Sequence, residues 1–115
     1  MPEQPFPKRG EVWLVDFPDD PKSRPALIVS LEARNQFSNS VLAVTLTTNL
    51  RPAPTHVLIP KGQCGLHFDS VARYENVSYV LRSRLRRGGF AGQITPALMQ
   101  EVEKALMRAF GVAVP

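Results

Sequence analysis

The strongest constraint on this chain is the shortness of its apolar runs. Stretches rich in Val, Leu, Ile, Thr and aromatic residues recur along it, and each is closed within a few residues by Pro, Gly, Asn or Asp. That spacing describes short strands joined by turns. The stretch Gly10 to Ser30, GEVWLVDFPDDPKSRPALIVS, sets the pattern: Glu11 to Phe17 and Ala26 to Ser30 read as strands around a Pro/Asp/Lys/Ser loop. In the first strand Val12 and Leu14 point one way and Trp13, Val15 and Phe17 the other, so both faces are apolar, as in a central strand. Asp16 interrupts this pattern and needs an arginine or a backbone donor as partner. At the root of the loop Arg24 precedes Pro25, which disfavours helix at Arg24 and fixes the start of the next strand. A guanidinium held there either binds a phosphate or pairs in solvent with Asp19 or Asp20.

The later elements follow the same logic. LEARNQFSN, after Ser30, carries no strong period and reads as a short helix or a loop. SVLAVTLTT (Ser40 to Thr48) is a β-rich run ending in hydroxyls, and THVLI (Thr55 to Ile59) is a short strand between prolines. From Asp69 the chain reads as a strand at Ser70–Arg73, a corner at Tyr74-Glu75-Asn76 and a second strand from Val77 to Leu85. Arg82, Arg84 and Arg86 fall on the polar side of that strand, either as a solvated basic face or as part of a site. Gly88-Gly89 ends it, with one more short strand at Phe90–Ile94. The clearest helix has Thr95 as N-cap, Pro96 at its first position and Gly111 beyond Phe110. Its stripe of Leu98, Val102, Ala105, Leu106, Ala109 and Phe110 docks on the sheet or shares in a dimer contact. Together these elements predict a mainly β, α+β fold: a small, strongly bent antiparallel barrel with a C-terminal helix packed on it. Residues 1–9 read as a flexible tail and residues 10–115 as a single domain.

Charge narrows the function. The 115 residues carry a formal net charge of +4, and Lys and Arg together number 14. Most of these cations are arginines, which suits a polyanionic partner such as nucleic acid or an acidic protein segment. Neither a transmembrane run nor a signal peptide is visible, so the expected location is cytoplasmic, without membrane association. A lone Cys64 leaves no internal disulfide or Cys-based zinc site, and His56 and His67 lack companion ligands, so no metal or cofactor is expected. Nucleophile elbows, phosphate-binding loops and dinucleotide fingerprints are missing as well. What remains is arginines, hydroxyls at a strand end and isolated histidines. That inventory suits metal-free work on RNA, where the substrate's own 2′-hydroxyl attacks and the protein positions the phosphate and stabilises its charge.

The order KRGEVWLVDF, SRPALIVS, VLAVTLTTNL, PTHVLI, DSVARYENV and ITPALMQEVEKAL resembles the MazF/PemK family of toxin endoribonucleases from bacterial type II toxin–antitoxin modules, over Lys8 to Val112. The resemblance implies a homodimeric SH3-like barrel of PemK/CcdB type that cuts single-stranded RNA without metal, leaving 2′,3′-cyclic phosphate and 5′-hydroxyl ends. It also implies a cognate antitoxin that lies along the basic groove. Carried over by motif, the catalytic residues fall on Arg24 and Thr47. Thr48, Asn49, Arg51, Glu75 and Asn76 fall along the RNA path, or the corner residues Glu75 and Asn76 merely make the turn. A guanidinium is a poor base, so an electrostatic role for Arg24 is favoured; Thr47 would donate to a phosphoryl oxygen, or is an ordinary strand threonine. The loop Pro18 to Ser23 is shorter than the family's usual lid. The alternatives are a non-nuclease toxin of the same fold, resembling the CcdB gyrase poisons, and an inactive binding module.

Overall fold

A computed structural model describes residues 6–114. The elements run β1 (Glu11–Val15), β2 (Arg24–Ile28), α1 (Glu32–Phe37), β3 (Ser40–Thr47), β4 (His56–Ile59), β5 (Ser70–Arg73), β6 (Ser78–Leu81), β7 (Leu85–Gln93) and α2 (Pro96–Ala109). Short 3-10 turns stand at Gln63–Gly65, Tyr74–Asn76 and Arg82–Arg84. The sheet is antiparallel in the order β4-β5-β3-β2-β1-β7, and β6 also pairs with β3. β3 is the shared strand: one edge pairs with β2, while the other gives its first half to β6 and its end to β5. Alternation along β1 to β3 sends side chains to two cores. Val12, Leu27, Val44 and Leu46 pack with Tyr74 and with Val102 and Ala105 of α2, whereas Val15, Ala26, Ile28, Val41, Ala43 and Val80 form a smaller cluster flanked by Trp13, Phe17 and Leu85.

The expected barrel is met in part. Strongly bent sheet and C-terminal helix are present, but among the described residues no ladder joins β4 to β7. The Gln63–Gly65 turn fills that side, and a Cβ on Gly92 would stand 3.0 Å from Cys64 Cα, so β7 must carry glycine there. α2 follows most of its sequence signals: Thr95 Oγ1 accepts from Leu98 N–H at 3.2 Å, Pro96 opens the helix, and its buried Val102 and Ala105 face the sheet, but Phe110, expected on the same stripe, is exposed because the helix ends at Ala109. No helix among the described residues is long and apolar enough to cross a membrane.

Three expectations are corrected. The strand read over Val77–Leu85 is two strands. At Arg82 the chain leaves the β3 edge, its amide donating to Asn39 O at 2.8 Å, and after the 3-10 turn Leu85 pairs with Val15 of β1. Arg82 and Arg84 therefore lie in the turn and Arg86 on β7, not on one face of one strand. Gly88-Gly89 does not end a strand but forms an irregularity inside β7, where the register against β1 shifts. Gly88 has φ +73°, and a Cβ on Gly89 would meet Arg86 O at 2.8 Å. Asp16 is exposed rather than set among core residues, because β1 ends at Val15; its carboxylate accepts from the Ser23 hydroxyl.

Of the N-terminal tail, residues 1–5 lie outside the described residues. Pro7 is buried, and its carbonyl accepts from the Asn35 amide at 3.1 Å. Asn35 is itself buried on α1 and also donates to Ser30 O at 3.0 Å, so the short helix is tied to β2 and to the start of the chain.

Candidate active site

Arg24 opens β2 opposite Val15, and Thr47 closes β3. The β2–β3 ladder ends at Ala26↔Thr45, and continuing its count by two residues sets Arg24 opposite Thr47. Both residues stand on the sheet face of the smaller core, since side chains two apart share a face. They line one cleft of about 490 Å³ together with Phe17, Asp20, Thr45, Thr48 and Ser70. One guanidinium and several hydroxyls thus converge where the strands splay, a donor set that complements phosphate oxygens.

Arg24 is oriented by the short loop. Its Nε donates to Asp20 Oδ2 at 2.7 Å, and Asp20 Oδ1 accepts from Lys22 N–H at 2.9 Å. The Arg24 guanidinium, with help from the Lys22 amide, holds the Asp20 carboxyl below its ordinary value. Of the two acidic partners open to Arg24 in the sequence, the structure selects Asp20. The contact uses Nε, and among the described residues the two Nη groups have no hydrogen-bond partner. Thr47 Oγ1 accepts from Asn49 N–H at 3.2 Å, which leaves the hydroxyl's own proton free to donate.

Asn49 and Arg51 continue into the exposed loop after β3 and do not line this cleft, and neither do Glu75 and Asn76. Glu75 is engaged elsewhere. Its carboxylate accepts from Thr55 Oγ1 at 2.6 Å and pairs with His56 Nε2 at 3.1 Å, while His56 Nδ1 lies 2.5 Å from Arg51 O. The Thr55 hydrogen bond first, and then the His56 charge, hold the Glu75 carboxyl below its ordinary value. Glu75 therefore ties the corner after β5 to β4 and, through His56, to the Arg51 loop. Sequence reasoning gave His56 no role, because its partners meet it only when β4 pairs with β5. Phe17, Thr45 and Ser70 were also missed as cleft residues, although Thr45 follows from Thr47 by period two. Asn76 is exposed, and its carbonyl accepts from Ser78 Oγ at 3.0 Å. Among the described residues no three His, Cys, Asp or Glu side chains group as metal ligands.

A family model for the PemK-like, MazF-like toxins of type II toxin-antitoxin systems matches residues 8–110. The chain belongs to this family of endoribonuclease toxins. The MazF4 endoribonuclease of Mycobacterium tuberculosis is 34% identical over 110 residues, covering 95% of this chain and 97% of that protein. A solved endoribonuclease of a mycobacterial species is 32% identical with a TM-score of 0.81, covering 96% of this chain and 97% of that one. Another, solved in complex with its cognate antitoxin, is 32% identical with a TM-score of 0.82, covering 95% and 99%. Membership of the MazF-like toxins accounts for the terminal helix on a bent antiparallel sheet.

Proposed function

We propose that this MazF-like chain is a sequence-selective endoribonuclease acting on single-stranded RNA without metal. The observation that carries the reading is the convergence of Arg24 and Thr47 in one cleft from separate strands. The Nη groups of Arg24 hold the non-bridging oxygens of the scissile phosphate, and the Thr47 hydroxyl donates to the oxygen on which charge develops. The 2′-oxygen of the preceding ribose loses its proton and bonds to phosphorus as the bond to the 5′-oxygen breaks. The products are a 2′,3′-cyclic phosphate and, after proton uptake, a 5′-hydroxyl. Asp20 fixes the guanidinium so that little reorganisation accompanies the reaction.

Thr48 extends the hydroxyl row along the cleft, and Asn49 and Arg51 continue it into the loop, where amide and guanidinium groups suit unstacked bases. Asn76, exposed at the corner, is assigned to the same path, with Glu75 holding that corner through Thr55 and His56. The working unit is a cytoplasmic homodimer of the domain 10–115. It is silenced by a cognate antitoxin whose acidic, disordered segment occupies the cleft; the mycobacterial relative solved with its antitoxin supports that pairing.

Purified protein and a long mixed-sequence RNA in EDTA test this. Defined cuts with cyclic-phosphate ends, lost in Arg24→Ala and Thr47→Ala, are the expected result. Uncut RNA together with trapped gyrase–DNA complexes would establish the gyrase-poison alternative instead, and neither activity would leave a binding module.

A further inference from the structure

A second cleft opens on the same sheet face as Arg24 and Thr47. It encloses about 570 Å³ and is lined by Trp13, Arg82, Ser83, Leu85, Arg86 and Arg87. Trp13 pairs with Ala26 and packs with Leu85 against the smaller core, so its indole lies on the face that two residues away carries Arg24. The ring is held in place: Nε1 donates to Glu11 Oε1 at 3.0 Å, and Phe90 meets the indole edge-on with centroids 5.7 Å apart.

Among the described residues the arginines of this cleft have no acidic partner. Ion pairs among the described residues are Arg9–Glu103, Arg24–Asp20, His56–Glu75 and Lys104–Glu101, and none involves Arg82, Arg86 or Arg87. Arg86 Nη1 instead donates to Ser23 Oγ at 3.1 Å, and that hydroxyl in turn donates to Asp16. Ser23 immediately precedes Arg24, so this hydrogen bond ties Arg86 of the second cleft to the residue next to Arg24 in the first.

Resting on the reading of Arg24 and Thr47 as the cleavage site, we infer that the Trp13–Arg86–Arg87 cleft binds nucleotides of the same RNA strand that flank the scissile phosphate. Guanidinium forks match phosphate oxygens, and a fixed indole at the wall gives a base a surface to stack on. A run of Asp and Glu alone would satisfy the arginines but leave the aromatic wall without a stacking partner. The shared sheet face lets one extended strand cross from the Arg24 cleft past Ser23 to Trp13.

Trp13 is the chain's single tryptophan, so its emission reports on this cleft without a label. The test titrates full-length wild-type protein with a single-stranded RNA oligonucleotide whose 2′-oxygens are methylated, so that none can attack, following anisotropy of the RNA and Trp13 emission together. Saturable quenching that tracks the anisotropy is expected. Adding Arg86→Ala and Arg87→Ala should raise the midpoint several-fold and make the log–log salt dependence shallower by about 0.7 per arginine removed. Arg87→Ala alone serves the same purpose if loss of Arg86 disturbs the Ser23 loop. RNA binding that leaves Trp13 emission unchanged, or variants with unaltered midpoint and salt slope, would overturn the inference. Equal quenching and competition by poly-glutamate would overturn it in favour of an acidic polypeptide. The two readings fail separately: wild-type protein that cuts RNA while Trp13 stays silent removes this subsite only, whereas quenching without cuts removes the cleavage reading and leaves a nucleotide site.

Discussion

Thr47→Val removes a hydroxyl while keeping the shape and branching that suit the end of β3. Thr47 pairs with Val71 across the sheet, so valine preserves the strand. The hydroxyl's one internal contact, from Asn49 N–H at 3.2 Å, sits at an exposed turn where water replaces it, and the fold should lose no more than about 0.5 kcal/mol. Catalysis should lose more. A hydrogen bond to a charged phosphoryl oxygen is worth about 1.5–3 kcal/mol. If it strengthens in the transition state, that corresponds to a fall of about 10- to 150-fold in the single-turnover rate at saturating protein, with little change in RNA affinity. The assay is cleavage of a short RNA bearing one mapped site, with the denaturation midpoint measured in parallel. A well-folded variant cutting within about threefold of wild type would refute the role assigned to Thr47, since such a loss is under 1 kcal/mol.

Further outcomes concern the groups around the cleft. Because the folded Asp20 carboxyl is held below its ordinary value, the stability it contributes is full above the unfolded value and is lost only as pH falls through the lower folded one. The Arg24 Nε–H resonance should therefore hold steady from neutral pH to about 4 and move only in stronger acid, whereas Asp20→Asn should shift it at every pH. Glu75→Gln removes the charge from the contact with His56 and should cost about 1 kcal/mol or less of stability, because the carboxylate is partly exposed. Its clearer signature should be faster amide exchange in the Arg51 loop. Tyr74 is fully buried with no hydrogen-bond partner for its hydroxyl among the described residues, and burial pushes its ionisation far up. Tyr74→Phe should raise unfolding stability by about 1 kcal/mol in a urea titration.

Local signals carried much of the architecture. Thr95, Pro96 and Gly111 bracket α2 because capping and φ preferences act within a turn, and the β1 alternation separated Val12 from Val15 because period two is local. The break after Leu81 was not legible. The apolar alternation runs on past it, and what ends β6 is a change of partner from β3 to β1, which only the assembled sheet decides. Arg24 was readable as a loop-root arginine and Thr47 as a strand hydroxyl, but their meeting depends on the β2–β3 register, and only the family resemblance linked them. His56 is the converse case: a histidine without companions in the sequence gains Glu75 and Arg51 as partners through the pairing of β4 with β5.

A double-mutant cycle on the single-turnover cleavage rate, using Arg24→Lys and Thr47→Val, asks most directly whether the two side chains serve one phosphate. Coupling of at least about fivefold between the substitutions is expected, because neighbours acting on a shared group are not additive. Rate losses that simply multiply would contradict a common site.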